Sequence, residues 1–350
     1  MRWEVVRQSS RRVALAAHER TVGSAPAPPA AKAEASAAGQ GPAFDQQEAW
    51  VFFEGEPRRY RDAHIGVMTH ALHYGTGCFE GIRAFWSAPR EQLYVFRARD
   101  HFQRLRQSAS ILRMALPHSA DELTEITVDL LRRNRFRTDT YIRPLVYKAS
   151  EEIGVRLHDL EDGFLIYAQP FGEYHDRSRG LRCMVSSWRR VDDNAAPARA
   201  KVTGVYINSA LAKTEAFDNG VDEAILLGQD GHVCEGSADN LFIIRKGALI
   251  TPPVSDNILE GITRATLIQI WTEELGLPLV ERSIDRTELY IADEVILCAT
   301  AAQVCPVVEI DHRPVGDGTV GPFARRLDEI YSSLVRGEIE KYREWCHPVY

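Results

Sequence analysis

Residues 170–180 read Pro-Phe-Gly-Glu-Tyr-His-Asp-Arg-Ser-Arg-Gly, and no strand or helix can be written through them. The stretch has neither a twofold nor a 3.6-residue apolar period, so no face of it can be buried. Ordered patterns lie on both sides. Before it come Ala49-Trp-Val-Phe-Phe with a Gly turn and a helix over 100–116, apolar at Phe102, Leu105, Ile111, Leu112 and Met114, with Pro117 past its end. A second helix starts at Asp121 behind an N-cap-like Ser119, and strands run over 140–147 and 163–169. After it come a hairpin over 222–234 turning at Gly228-Gln-Asp-Gly231, and another over 240–251 turning at Arg245-Lys-Gly247. A helix over 263–275, stopped by Gly276 and Pro278, precedes a strand over 294–298 that runs into Thr300-Ala-Ala302. There is no internal repeat and no G-x-G-x-x-G between a strand and a helix. Strand runs followed by helices in each half give an α+β fold, not a parallel nucleotide-binding sheet.

At 350 residues there is room for about two domains. The expected division is an extension over 1–48, a small α+β domain over 49–166, a connection over 167–179 and a large domain over 180–350. Residues 23–42 are almost all Ala, Pro, Gly and Ser, too little to bury against the entropy of ordering them, so the extension reads as disordered. It carries Arg2, Arg7, Arg11, Arg12 and Arg20, but Glu4 and Glu19 argue against an organellar transit peptide, which is poor in acids. Six scattered cysteines show no metal-ligand spacing and no C-x-x-C pair, which suits a reduced cytoplasm and no metal. A formal charge of −7 excludes a general nucleic-acid binder, and no apolar run is long enough for a membrane span.

Only six of the 42 basic residues are lysines. One of them, Lys201, precedes Tyr206 by five positions and Glu235 by 34. A lysine can condense with an aldehyde cofactor, and a carboxylate against a pyridine nitrogen keeps that nitrogen protonated; the pair suits pyridoxal 5'-phosphate. Either residue alone also reads as a solvated lysine or a turn glutamate. Gly261-Ile-Thr263 opens a helix, where backbone N–H groups and a hydroxyl can hold a phosphate, although the same residues make an ordinary N-cap. Arg104 can add charge, or sit on an amphipathic surface. Thr300-Ala-Ala302 is a small-residue turn able to bind an oxyanion, or a plain β-turn.

His70-Ala-Leu-His-Tyr-Gly-Thr76, Phe79-Glu-Gly-Ile-Arg83, Tyr141-Ile-Arg-Pro144, Glu235-Gly-Ser-Ala-Asp-Asn-Leu-Phe242, Gly261-Ile-Thr-Arg264 and Ala299-Thr-Ala-Ala302 occur in order over residues 49–310. Together they resemble the fold-type IV pyridoxal-phosphate enzymes, most closely the branched-chain amino-acid aminotransferases. The resemblance implies a two-domain α+β architecture with the active site between domains and the cofactor on the larger one. It implies Lys201 as the lysine that carries the cofactor, Glu235 as partner of the pyridine nitrogen and Tyr206 as partner of the phenolate oxygen. Arg104, Ile262, Thr263 and Thr300 would hold the phosphate. Thr300 and Ala301 amides, with the Tyr141 hydroxyl, would hold the substrate α-carboxylate. Phe79, Phe171, Tyr174 and Tyr206 would wall the side-chain pocket, with Tyr74 and Val155 from a second subunit, and Arg143 would meet the distal carboxylate of glutamate. The implied reaction passes an amino group from leucine, isoleucine or valine to 2-oxoglutarate by a ping-pong route, in a homodimer or higher homo-oligomer.

Three departures touch the pocket and its lid. Phe171 stands where relatives often have tryptophan, the loop after Val155 lacks a Pro-rich segment, and residues 173–179 are unusually charged. A D-amino-acid or (R)-amine aminotransferase, or an aminodeoxychorismate lyase, is the competing reading on the same fold. A cofactor-free binding protein is the competing reading of another class.

Overall fold

The computed structural model describes residues 44–350, and the expectations for the extension lie outside the described residues. Among these residues six α-helices, α1 (His70–Tyr74), α2 (Ala98–Ile111), α3 (Ala120–Asn134), α4 (Tyr206–Asp218), α5 (Ile262–Glu273) and α6 (Pro322–Leu334), pack on two sheets. The fold is α+β. No helix of the described residues is long and apolar enough to cross a membrane.

The first sheet is antiparallel, in the order Cys346–Pro348, Gln92–Phe96, Ile82–Ser87, Thr140–Lys148, Asp162–Pro170, Trp50–Phe53, Glu56–Arg59, and Gly77–Phe79 also pairs with Thr140–Lys148. Its centre is the hairpin that pairs Thr140 with Pro170 and Lys148 with Asp162. Successive strand residues face opposite ways. Ile142 and Val146 are buried with Phe102 and Leu105 of α2 and Leu123, Leu130 and Leu131 of α3. Tyr141 and Arg143 are therefore turned to the other face, and both are only half-buried.

Local chemistry sets the helix ends. Ser119 and Glu122 form a reciprocal capping box at the start of α3, with N–H to side-chain distances of 2.7 and 3.2 Å. Helix α2 stops at Ile111, short of the expected 116. Arg113 takes a positive φ of 53°, the Met114 N–H turns back to the Ala109 carbonyl at 2.8 Å, and Lys148 Nζ holds the Arg113 carbonyl at 2.8 Å. A buried lysine thus closes the helix where apolar periodicity alone continued it.

The second sheet is mixed, in the order Val233–Gly236, Glu223–Leu227, Leu181–Arg189, Gln303–Ile310, Glu294–Ala299, Asn240–Arg245, Ala248–Thr251, Leu279–Glu281, and Arg313–Pro314 also pairs with Gln303–Ile310. Leu267, Ile270 and Trp271 of α5 and Leu327, Ile330 and Tyr331 of α6 share a core with Phe242 and Ile296 of this sheet and with Phe85, Tyr94 and Phe96 of the first. Each such side chain contributes roughly 1.5–3 kcal/mol on burial, so this layer bonds the two sheets strongly. The chain passes between sheets after Pro170, four residues into the expected connection, and the Phe171 N–H still pairs with the Asp139 carbonyl at 2.9 Å. The sheets are also tied by the C-terminal strand Cys346–Pro348, which returns to pair with Gln92–Phe96.

A backbone seam joins the first sheet to the segment around Lys201. Cys78 bridges Val202, the Phe79 N–H donates to the Lys201 carbonyl at 3.0 Å, and the Gly204 N–H donates to the Gly75 carbonyl at 3.1 Å. Gly75 is the left-handed C-cap of α1 (φ 64°), and a Cβ there would lie 2.6 Å from the Gly204 Cα. Gly55 has a similar φ of 87° but nothing within 4 Å of a Cβ. Gly55→Ala should therefore cost only the left-handed penalty, about 1–2 kcal/mol. Gly75→Ala should cost roughly 2–4 kcal/mol because the seam must also part. Urea midpoints of the two variants compare these costs, and equal shifts would mean the seam yields freely.

Candidate active site

One cavity is lined by Arg104, Arg190, Lys201, Tyr206, Ser209, Glu235, Ser237, Asn240, Ile262, Thr263 and Thr300 among others. All the residues expected to bind the cofactor are therefore brought together, from α2, from the start of α4 and α5, and from the second sheet. The Lys201 N–H donates to Ser108 Oγ at 3.2 Å, and its Nζ lies 5.3 Å from the ring centres of both Phe79 and Tyr206. Those two rings are 4.9 Å apart. The Lys201 Nζ thus lies to one side of a pair of touching aromatic rings, each contributed by a different part of the chain.

Helix α5 opens with Gly261 as N-cap and no side-chain hydrogen bond to its first turn. Its leading amides have no intrahelical partner and bring the positive end of the helix dipole to the cavity. Thr263, buried, adds a hydroxyl. Glycine is required at 261 by a close approach: a Cβ would sit 1.9 Å from Asn240 Oδ1. Asn240 in turn donates its Nδ2 to Glu235 Oε2 at 3.0 Å. Arg104 is held by Glu80, its Nε and Nη2 each 2.7 Å from a carboxylate oxygen, and its Nη1 donates to the Glu260 carbonyl at 2.6 Å.

Glu235 is buried and nearly saturated. Oε1 lies 2.8 Å from Arg190 Nη2; Oε2 accepts from Asn240 and from the Leu259 N–H at 3.1 Å. A carboxylate offers about four acceptor positions, so one on Oε1 stays available. Burial pushes the Glu235 carboxyl up, opposed by Arg190, the Leu259 N–H, Lys201 and Arg104. Arg190 favours the charged form against burial, and burial strengthens the attraction of that charged form for a cationic N–H.

The expected substrate wall forms a chain of contacts. The Arg143 guanidinium lies 4.2 Å from the Phe79 ring centre and donates to the Tyr141 hydroxyl, from Nη2 at 2.5 Å and from Nε at 3.2 Å. The Tyr141 and Phe171 rings are 5.3 Å apart, and Phe171 stacks on Tyr174 at 6.2 Å. Arg83, fully buried, donates to the Phe171 carbonyl at 2.8 Å and the Ala301 carbonyl at 3.4 Å. It thereby ties the start of the segment between the two sheets to the turn at Thr300 and Ala301. Of the expected substrate residues, Tyr206 and Thr300 line the cavity itself, whereas Phe79, Tyr141, Arg143, Phe171, Tyr174, Ala301, Tyr74 and Val155 do not. The Gly154 N–H donates to the Tyr74 hydroxyl at 3.3 Å, and Val155 is 90% exposed. Arg190, His101 and Ser108 were not singled out from the sequence, and Glu80, Arg83 and Asn240 were given no role there although they stand inside quoted motifs. The signal for Glu80 and Arg83 was two charges in an otherwise apolar run; Arg190 carries none.

The class IV amino-transferase family matches residues 77–310. The chain belongs to that family. A probable branched-chain-amino-acid aminotransferase of Aquifex aeolicus is 50% identical over 301 residues, covering 86% of this chain and 97% of its own. The branched-chain aminotransferase of Thermoproteus uzoniensis, crystallised with norvaline, superposes with a TM-score of 0.83 at 45% identity, over 86% of this chain and 99% of its own. That of Thermobaculum terrenum, in its pyridoxal-phosphate form, gives 0.84 at 37% identity, over 87% and 100%. Pyridoxal phosphate fits the class IV cavity: Lys201, a buried carboxylate with a free acceptor position and an uncapped helix start suit its aldehyde, ring nitrogen and phosphate.

The buried ion pair behind this cavity has a pH signature. Burial pushes the Glu80 carboxyl up, but Arg104 and the hydrogen bonds from His101 and Arg104 outweigh it and hold it at about 2, against an ordinary 4.5. A depressed folded pKa contributes stability that is complete above the unfolded value and lost as pH falls through the folded one. The stability of the wild type minus that of Glu80→Gln should therefore be constant above pH about 5 and shrink between about 4.5 and 2. Urea titrations across that range measure it; a difference that does not change with pH would deny the coupling.

Proposed function

We propose that this chain transfers the amino group of leucine, isoleucine or valine to 2-oxoglutarate, with pyridoxal 5'-phosphate carried on Lys201. The observation that supports it most is the convergence of Lys201, the Arg190-paired Glu235 and the uncapped start of α5 on one cavity. Bound there, the cofactor supplies a sink for the electron pair left at the substrate Cα. Glu235 keeps the ring nitrogen protonated. With the cofactor bound, Lys201 Nζ would be the group that takes the proton from the substrate Cα and delivers it to the cofactor's aldehyde carbon. Tyr206 holds the phenolate oxygen; Arg104, Ile262, Thr263 and Thr300 hold the phosphate. The Thr300 and Ala301 amides and the Tyr141 hydroxyl hold the α-carboxylate.

One pocket must take both a branched apolar chain and the second carboxylate of glutamate. Arg143 suits both. Its guanidinium already lies over Phe79 and bonds Tyr141, so its charge is satisfied when an apolar chain fills the wall, and it is at hand when a carboxylate enters. We place the enzyme in the cytoplasm as a homodimer or higher homo-oligomer. All six cysteines are free and buried. Ile65, Val67, Met68, Leu72, Ile153 and Val155 are exposed around α1 and the loop it holds, where a second copy would cover them. Tyr74 and Val155 of the partner subunit would then close the pocket.

Borohydride reduction followed by peptide mass analysis should fix the cofactor on Lys201, and Lys201→Ala should retain no such adduct. An adduct on Lys148 or Lys213 would reject the assignment. Arg143→Met should slow the glutamate half-reaction about ten- to a hundred-fold, the value of a charge-assisted hydrogen bond, and change the leucine half much less. Single-turnover rates with each amino acid separate the halves. Equal losses, or faster turnover of D-alanine than of L-leucine by the wild type, would overturn the substrate reading.

A further inference from the structure

Arg104 reaches the cavity with most of its hydrogen-bonding capacity committed. Its Nε and Nη2 bond the two oxygens of Glu80 side by side, and its Nη1 bonds the Glu260 carbonyl. Of the five N–H groups of a guanidinium, two remain, one on each terminal nitrogen. Glu80 is wholly buried, and its Oε2 lies 2.8 Å from Nδ1 of His101, also buried. Burial and the nearby Arg104 and Arg97 charges hold His101 down, although Glu80 pulls it up, so the imidazole is neutral and donates this hydrogen bond. The negative charge of Glu80 cancels that of Arg104. What Arg104 offers the cavity is therefore aimed donors more than net charge.

We infer that Glu80 is a positioning residue for the cofactor's phosphate: it fixes the plane of Arg104 so that the two remaining N–H groups meet two phosphate oxygens, and His101 fixes Glu80 in turn. The seam gives this a purpose. Arg104 stands on α2, packed on the first sheet, while the start of α5 and the turn at Thr300 belong to the second. A long side chain crossing that boundary has several rotamers to lose, and the two-point fork removes them before any ligand arrives. The Glu80 N–H itself donates to the Pro144 carbonyl at 3.0 Å, so the fork is anchored in the central hairpin of the first sheet.

This role presupposes that the cavity is the cofactor site, and the test separates the two. The full chain, stripped of cofactor, is titrated with pyridoxal 5'-phosphate and, separately, with pyridoxal, following the absorbance of the lysine-bound form. A wild type that binds neither would overturn the cofactor assignment and this role with it. Glu80→Gln should raise the Kd for pyridoxal 5'-phosphate about ten- to a hundred-fold and leave that for pyridoxal unchanged. In an Arg104→Gln background the same change should add nothing, because Glu80 acts only through that arginine. Equal loss for both ligands, unchanged or tighter binding of pyridoxal 5'-phosphate, or a full additional loss in the double variant would overturn it. If Glu80→Gln does not fold, His101→Asn decides: a smaller loss confined to pyridoxal 5'-phosphate supports the role, and a loss without that selectivity overturns it.

Discussion

The hydrogen bond from the Phe79 N–H to the Lys201 carbonyl fixes where this enzyme can do chemistry. Lys201 has no strand of its own in the second sheet; its backbone is held by the first, through that bond and the bridge from Cys78 to Val202. The residues it must face, Glu235 and Thr263, are carried by the second sheet and by α5. The site exists only while both sheets keep their relative placement. The shared core of α5 and α6, which takes Phe85, Tyr94 and Phe96 from one sheet and Phe242 and Ile296 from the other, supplies that rigidity. Hydrophobic burial is not directional, so it can hold the sheets together but cannot set their register. Arg83 and the backbone seam, which are directional, set it.

What was legible in the sequence is what local chemistry decides. The N-cap at Ser119, the hairpin turns at 228–231 and 245–247, and the strand over 140–147 all follow from neighbours a few residues apart. What was not legible depends on partners far along the chain. The end of α2 is set by Lys148, 35 residues beyond Arg113. The strand Cys346–Pro348 has no signal beyond a short C-terminal run, and its pairing with Gln92–Phe96 spans most of the molecule. The same holds in the site. Lys201, Glu235 and Thr263 belong to motifs that need specific residue types, whereas Glu80, His101 and Arg190 matter because of what they touch.

The buried charges behind the cavity come in pairs: Glu80 with Arg104, Glu235 with Arg190, and Arg83 near Asp139. Taking both partners of such a pair out of water costs several kcal/mol per ion before their attraction is counted, and well-packed apolar residues would often be as stable. Their value lies in direction. A phosphate, a pyridine nitrogen and a substrate carboxylate must each be met within a few tenths of an ångström, and an apolar wall cannot aim a donor. In the first two pairs one member lines the cavity and its partner holds it there: Glu80 holds Arg104, and Arg190 holds Glu235.

Arg143 is the exception, and the difference suits the task proposed for it. It is only half-buried, it has no carboxylate partner within salt-bridge distance among the described residues, and its contacts are a ring face and a phenol hydroxyl. A carboxylate partner would cancel its charge, and the second carboxylate of glutamate would then have to displace a charge of its own kind. A ring face, worth roughly 0.5–2 kcal/mol, and the neutral Tyr141 hydroxyl oppose no negative charge to the guanidinium, as the carboxylates behind the cavity do for theirs. A guanidinium so held can sit quietly against leucine and still gain by turning to glutamate. On the proposed reaction, the arginine in the wall and the arginines paired with carboxylates behind it would answer opposite demands, one free to change its partner in each cycle and the others fixed.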